Sequence, residues 1–288
     1  MKKFLLFILP LFFLSVESKA QKTDKRLFEK VATLLKGFNG DAGVYIKSLK
    51  TNKIVAVNAD TIFPTASIVK IPILIGIMDK IEKKEFDYHQ QLTYRDSLAY
   101  SEFDVTANLK DTAKIELAKV ILLMLSTSDN SASLWLQKLA GKGTRINELL
   151  DRAGFKATRV NSRTPGRENN RIQYGWGQTT AYEMATLMEK IYRGEIISDS
   201  SGKKMIRLLG RNFWDEQAIS QIPSDVFVAS KNGCVDASRS EVLLVMAKQP
   251  YIFSIFTKNN KDQRWADDNE AWMLAKNLSA LLWQYFNK

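Results

Sequence analysis

Histidine and cysteine are almost missing from this chain: of 288 residues, one is His and one is Cys. A single cysteine excludes an internal disulfide framework. His89 and Cys234 alone cannot assemble a His/Cys zinc site, so no metal is expected. A Ser-His-Asp triad would have to use His89, which sits in the polar run EFDYHQQ and reads as a wet loop. Nucleophilic chemistry in this chain therefore needs a base other than histidine. No cofactor is expected either.

Long apolar runs are also scarce. The first twenty residues, MKKFLLFILPLFFLSVESKA, have a basic start, an apolar middle and small residues at the end. That pattern reads as a secretory signal peptide cleaved after Ala20, and it falls short of the roughly 20 apolar residues that span a bilayer. No Cys follows the cleavage point to take a lipid anchor, and no later stretch is long and apolar enough to cross a membrane. The mature chain is expected to be periplasmic or secreted, soluble and monomeric.

The formal charge is +11, of which the leader carries +2 through Lys2, Lys3, Lys19 and Glu17, leaving +9. In a cytoplasmic protein this would suggest nucleic acid. Export argues instead for an anionic cell envelope, acidic substrates or a solvated basic surface, and no nucleic-acid partner is expected.

Apolar spacing predicts a helix over 24–38 and strands over 42–49 and 53–58. Helices are predicted over 113–125, 132–139, 144–152 and 179–192. Residues 160–178 read as a long polar loop without periodicity. Strands follow over 225–230, 242–247 and 251–256, and a closing helix over 266–285. Strands at both chain ends with helices between imply an α+β fold. One antiparallel sheet is built from both ends (21–61 and 212–288), beside a helical lobe (62–211).

The segment FPTASIVKIPILIG, residues 63–76, places Lys70 inside apolar sequence, three residues after Ser67. Alternating isoleucines would suit a strand, but Pro72 cannot donate to a ladder. A helix buried all round is the other reading, and only a helix puts Ser67 and Lys70 on one face. Apolar burial lowers a lysine pKa by up to about 3–5 units, and a neutral amine can accept the serine proton. The spacing alone is weak. Ser200/Lys203 and Ser201/Lys204 repeat it in the polar run SDSSGKK, with nothing apolar to tune the lysine.

Order adds what spacing lacks. Ser128-Asp129-Asn130 begins 61 residues after Ser67, and Lys231-Asn232-Gly233 begins 103 residues later. Separately these are a helix cap and a basic turn at a strand end. Together, S-x-x-K, S-D-N and K-x-G resemble the penicillin-recognising serine enzymes, and the class A β-lactamases in particular. The resemblance spans nearly all of the mature chain.

It implies that Ser67 is the nucleophile, Lys70 its base, and Ser128 the relay to the leaving nitrogen. Asn130 would bind the substrate's side-chain amide. Lys231 would poise Ser128 and attract a carboxylate, with Asn232 donating to that carboxylate. Gly233 completes the motif, and the N–H groups of Ser67 and Cys234 would form an oxyanion hole. Arg239 is either a carboxylate partner or a surface arginine. The chain departs from the pattern at Asn232, where a hydroxyl residue is usual. It departs again in the 160–178 loop, where the glutamate that activates water would fall at Thr164 or Pro165. Glu168 is the carboxylate nearest that place and the candidate deacylation base, or else a solvated loop residue.

These readings describe an exported serine hydrolase of β-lactamase type, acting on a β-lactam or a peptidoglycan-like substrate. Two alternatives stand beside it. One is a penicillin-binding or D,D-peptidase-like enzyme, or another amide or ester hydrolase, with slow deacylation. The other is a non-catalytic envelope-binding module.

Overall fold

The computed structural model describes residues 22–287. The expected signal peptide, residues 1–20, lies outside the described residues. In chain order the elements are α1 (Lys25–Leu35), β1 (Asp41–Ser48), β2 (Ile54–Val57) and β3 (Phe63–Pro64). After them come a 3-10 turn (Ala66–Val69), α2 (Lys70–Glu82), β4 (Gln91–Thr93), β5 (Lys114–Glu116) and α3 (Leu117–Ser126). The chain goes on through α4 (Asn130–Leu139), α5 (Lys142–Arg152), β6 (Arg159–Val160), α6 (Glu168–Tyr174) and β7 (Gly177–Thr179). It closes with α7 (Ala181–Tyr192), α8 (Asp199–Leu209), β8 (Val228–Val235), β9 (Ser238–Val245), β10 (Tyr251–Lys258) and α9 (Glu270–Asn287).

The expected sheet from both chain ends is present. Its strand order is β2-β1-β10-β9-β8, with β1 antiparallel to β10, and β9 antiparallel to both β8 and β10. Side chains alternate across it as the period of two requires. Val44 and Ile46 face one core with Leu278 and Leu282 of α9, whereas Tyr45 faces the other with Met184 and Met188 of α7. The central strand β9 is buried along its whole length. Helix α7, although it comes from the middle of the chain, packs on β1, β9 and β10. Helices α3, α4, α5 and α8 gather around α2.

Helix α2 settles the ambiguity of residues 71–77 in favour of the helix. Residues Lys70 to Asp79 are all buried, so no polar face shows in the pattern. Pro72 is its third residue, where the missing N–H is one of those a helix start leaves unpaired.

Three expectations are corrected. The helix predicted from 113 starts at Leu117, because Lys114–Glu116 pair with Gln91–Thr93 as β5 and β4. The 160–178 segment is not structureless: it holds α6, and Gly177–Thr179 pair with β3 and β6. Lys231-Asn232-Gly233 is not a turn beyond a strand, because β8 runs through it to Val235. The polar run SDSSGKK opens α8, with Ser198 as its cap.

Candidate active site

The site forms where the start of α2, the start of α4 and strand β8 meet. Ser67 lies in the 3-10 turn that leads into α2. The residue before it, Ala66, has φ +44, and Ser128 has φ +60. Such left-handed backbone costs a non-glycine residue on the order of 1 kcal/mol or more and persists where the surroundings over-determine it. Gly233 shows how close those surroundings come. A Cβ there would lie 2.5 Å from the Thr65 carbonyl oxygen and 2.9 Å from the Ser67 nitrogen. Only glycine lets β8 approach the nucleophile turn.

Lys70 is fully buried. Its Nζ lies 2.9 Å from Ser67 Oγ, 3.0 Å from Ser128 Oγ, 2.7 Å from the Ser128 carbonyl oxygen and 2.8 Å from Asn130 Oδ1. Burial holds its pKa well below the ordinary lysine value. The Lys231 ammonium lowers it further, against the raising influence of Asp104 and Asp129. Lys231 is also buried; burial brings it down to about 8. Its Nζ donates to the Asn232 carbonyl (2.9 Å) and to Asn232 Oδ1 (3.1 Å).

Asp129 caps α4 by accepting from Ala132 N at 2.7 Å, and its other oxygen accepts from Thr106 N at 2.7 Å. Two further supports lie outside the motifs. Buried Asp104 accepts from Asn130 N and Ser131 N, both at 2.9 Å, and from Ser131 Oγ at 2.7 Å. Segment Asn212–Trp214 ties the second motif to the third. Asn212 Nδ2 donates to Ser230 Oγ (3.1 Å), Phe213 N to the Ser126 carbonyl (3.0 Å) and Trp214 Nε1 to the Thr127 carbonyl (3.0 Å). These residues act through contacts to the neighbours of Ser128 and Lys231, which no local sequence pattern marks.

Ser67 and Asn130 line a cleft of about 550 Å³ together with Cys234. Tyr100 and Trp176 line it too, in an edge-to-face contact with ring centroids 5.0 Å apart. Cys234 is a free, half-buried thiol whose pKa is raised by burial, against the lowering pull of Arg239 and the two lysines.

Arg239 is not a surface residue. Only 1% exposed, it donates from Nη1 to the Val235, Asp236 (3.2 Å) and Ser238 (3.0 Å) carbonyls and from Nη2 to the Arg264 carbonyl (3.2 Å), beneath the Trp265 ring. Glu168, the first residue of α6, is exposed, and its Oε1 accepts from Gly166 N at 3.1 Å. Arg167, beside it, bonds Asn161 Oδ1 (2.9 Å) and Gln178 Oε1 (2.7 Å), which cross-ties the two ends of the loop. Among the described residues no carboxylate lines the cleft.

The repeated S-x-x-K spacings in α8 stay apart from this chemistry. Lys203 pairs with Asp199 at 2.6 Å, and Ser201 Oγ donates to Glu82 at 2.6 Å. His89 is exposed, 3.4 Å from Glu116. Among the described residues no cluster of His, Cys, Asp or Glu could hold a metal, and no helix is long and apolar enough to cross a membrane.

A family model described as the beta-lactamase enzyme family matches residues 26–286. The beta-lactamase VEB-1 of Pseudomonas aeruginosa is 22% identical over 298 residues, which cover 99% of this chain and 98% of that one. The solved structure of PBP-A superposes with a TM-score of 0.80 at 22% identity, over 92% of this chain and 97% of that one. A PBP-A variant solved as its acyl-enzyme complex with penicillin G also gives 0.80, at 23% identity over 92% and 98%. The TLA-1 extended-spectrum beta-lactamase gives 0.81 at 17% identity, over 91% and 99%. The α+β architecture is thus that of the class A β-lactamases and PBP-A.

Proposed function

Since this chain belongs to the beta-lactamase enzyme family, we propose that it is an exported serine acyl-transfer enzyme that opens β-lactams on Ser67 and releases the acyl group slowly. The observation that carries this reading is the set of four contacts at Lys70 Nζ.

Donor arithmetic gives those contacts a direction. The Ser128 carbonyl and Asn130 Oδ1 can only accept. A neutral Lys70 amine has two N–H bonds, and these two oxygens take both. The lone pair is then left for the hydroxyls of Ser67 and Ser128. Burial, which lowers the Lys70 pKa, favours that neutral form.

In the first step the Ser67 proton moves to the Lys70 lone pair while Oγ bonds to the lactam carbonyl carbon. The carbonyl π pair moves onto oxygen, where the N–H groups of Ser67 and Cys234 would receive it. Collapse restores the carbonyl and breaks the C–N bond. The leaving nitrogen takes the Ser128 hydroxyl proton, and Ser128 takes the proton held on Lys70. This returns the amine to neutrality and leaves an ester on Ser67. Asn130 Nδ2 is free to donate to the substrate amide because its Oδ1 is engaged by Lys70. The carboxylate of the substrate would lie toward Lys231 and Asn232.

Slow release is the reading that the cleft lining supports, since no carboxylate stands in it among the described residues. Hydrolysis of the ester needs a base for water, and Glu168 turns toward Gly166 on the solvent side of its loop. The structurally similar PBP-A variant was solved as an acyl-enzyme complex with penicillin G, the kind of ester this reading places on Ser67. A pure binding module would give no reason to bury an amine among two serine hydroxyls. The test is a pre-steady-state assay with a chromogenic cephalosporin. It should give a burst of one equivalent followed by slow turnover, and Ser67→Ala should abolish the burst. Absence of a burst in the wild type would remove the reading.

A further inference from the structure

The cleft continues well past Ser67, and its far end differs in character from the catalytic end. Strands β8 and β10 end there, and β9 begins there. Val235 pairs with Ser238, and Phe256 pairs with Ser240, which brings Lys258 at the end of β10 alongside Ser238. All three of Val235, Ser238 and Lys258 line the cleft. Of the described residues in its lining, Lys258 alone carries a formal charge.

That charge is held in place. Lys258 is half-buried, its Nζ donates to the Ile62 carbonyl at 2.9 Å, and it sits 5.2 Å from the Phe63 ring centroid. An ammonium has three donors, and this arrangement uses one. Asp41 stands opposite Lys258 in the β1–β10 register, but its Oδ2 accepts from Asn259 Nδ2 at 2.8 Å. No carboxylate among the described residues forms an ion pair with Lys258.

The direction of β8 says what part of a substrate arrives there. Lys231 and Asn232 come first on the strand, then Gly233 and Cys234 beside Ser67, then Val235. A substrate with its carboxylate at Lys231 and its reactive carbonyl at Ser67 sends its acyl side chain on toward Val235, Ser238 and Lys258. We propose that Lys258 forms a carboxylate subsite for that side chain, so that the enzyme selects acyl donors whose side chain is itself anionic. This rests on acylation at Ser67.

The probe is a matched pair of penicillins, benzylpenicillin and carbenicillin, which differ by one side-chain carboxylate. The second-order rate of Ser67 acylation is measured for each. Wild type should favour carbenicillin. Lys258→Met should slow carbenicillin about tenfold and leave benzylpenicillin within about twofold, whereas Lys258→Arg should keep the preference. Should Lys258→Met fail to fold, wild type still decides: its carbenicillin preference should shrink as ionic strength rises from about 0.01 M to 0.5 M. Equal rates for the two penicillins in wild type, or equal slowing of both by Lys258→Met, would overturn the subsite while leaving acylation intact. Failure of both penicillins to acylate Ser67 would overturn the subsite and the underlying reading together.

Discussion

Lys70 Nζ lies 2.8 Å from Asn130 Oδ1, joining a buried amine at the start of α2 to the first residue of α4. This contact, with the one to the Ser128 carbonyl, fixes which way the Lys70 lone pair points. Asn130→Ala should therefore slow acylation by roughly 10- to 100-fold, beyond the loss of one substrate contact. Stopped-flow acylation of the purified variant by benzylpenicillin measures this. A rate within twofold of wild type would show that the contact does not orient the base.

The pH dependence follows from the two lysines. Lys70 must be neutral to act, and burial holds its pKa well below the ordinary value, so the rise of the acylation rate with pH should come well below the ordinary lysine range. Lys231 must be charged to attract the substrate carboxylate, and it titrates near about 8. The rate should fall above that pH. A rate that climbs steadily to pH 10 would contradict the assignment.

Glu241 offers a test in stability. It is fully buried on β9, its Oε2 accepts from Ala218 N at 3.0 Å, and its Oε1 has no partner. Burial pushes its carboxyl up from 4.5 to about 7, a difference worth roughly 3 kcal/mol. The folded state binds the proton more tightly, so this stability is fully present below about 4.5 and lost as pH rises through about 7. Glu241→Gln removes the titration. Denaturation of the two proteins at pH 4.5 and pH 8 should show a smaller fall for the variant, by about that amount. Identical falls would contradict the account.

Trp214 tests the segment that ties the second motif to the third. Trp214→Phe removes the bond to the Thr127 carbonyl, one residue before Ser128, while keeping an aromatic ring. The acylation step should slow by roughly threefold to tenfold. The dissociation constant of the initial non-covalent complex should stay constant, because the change acts on where Ser128 sits. A rise in that constant with no change in the acylation step would point to a role in binding instead.

What the sequence made legible is what spacing and order encode. The Ser67–Lys70 pair is one helical turn, and burial of the lysine follows from the isoleucines around it. The sheet from both chain ends follows from where the β-forming runs lie. The rest depends on contacts far apart in sequence. Asp104 accepts from main-chain groups of α4 and Asn212 donates to the Ser230 hydroxyl, and nothing in their own neighbourhoods marks them. Arg239 looked free to reach a carboxylate or the solvent, yet carbonyls at the β8–β9 turn capture it. Glu168 lies close to the expected position in sequence, but the start of α6 aims it at Gly166. A loop's composition does not reveal its path.

The account turns most directly on the fate of the ester at Ser67. Intact-mass spectrometry of wild type and Glu168→Gln after mixing with benzylpenicillin should show one whole penicillin added to each, located on the Ser67 peptide, and decaying equally slowly in both. No adduct in wild type, or an adduct that clears rapidly in wild type and persists in Glu168→Gln, would contradict it.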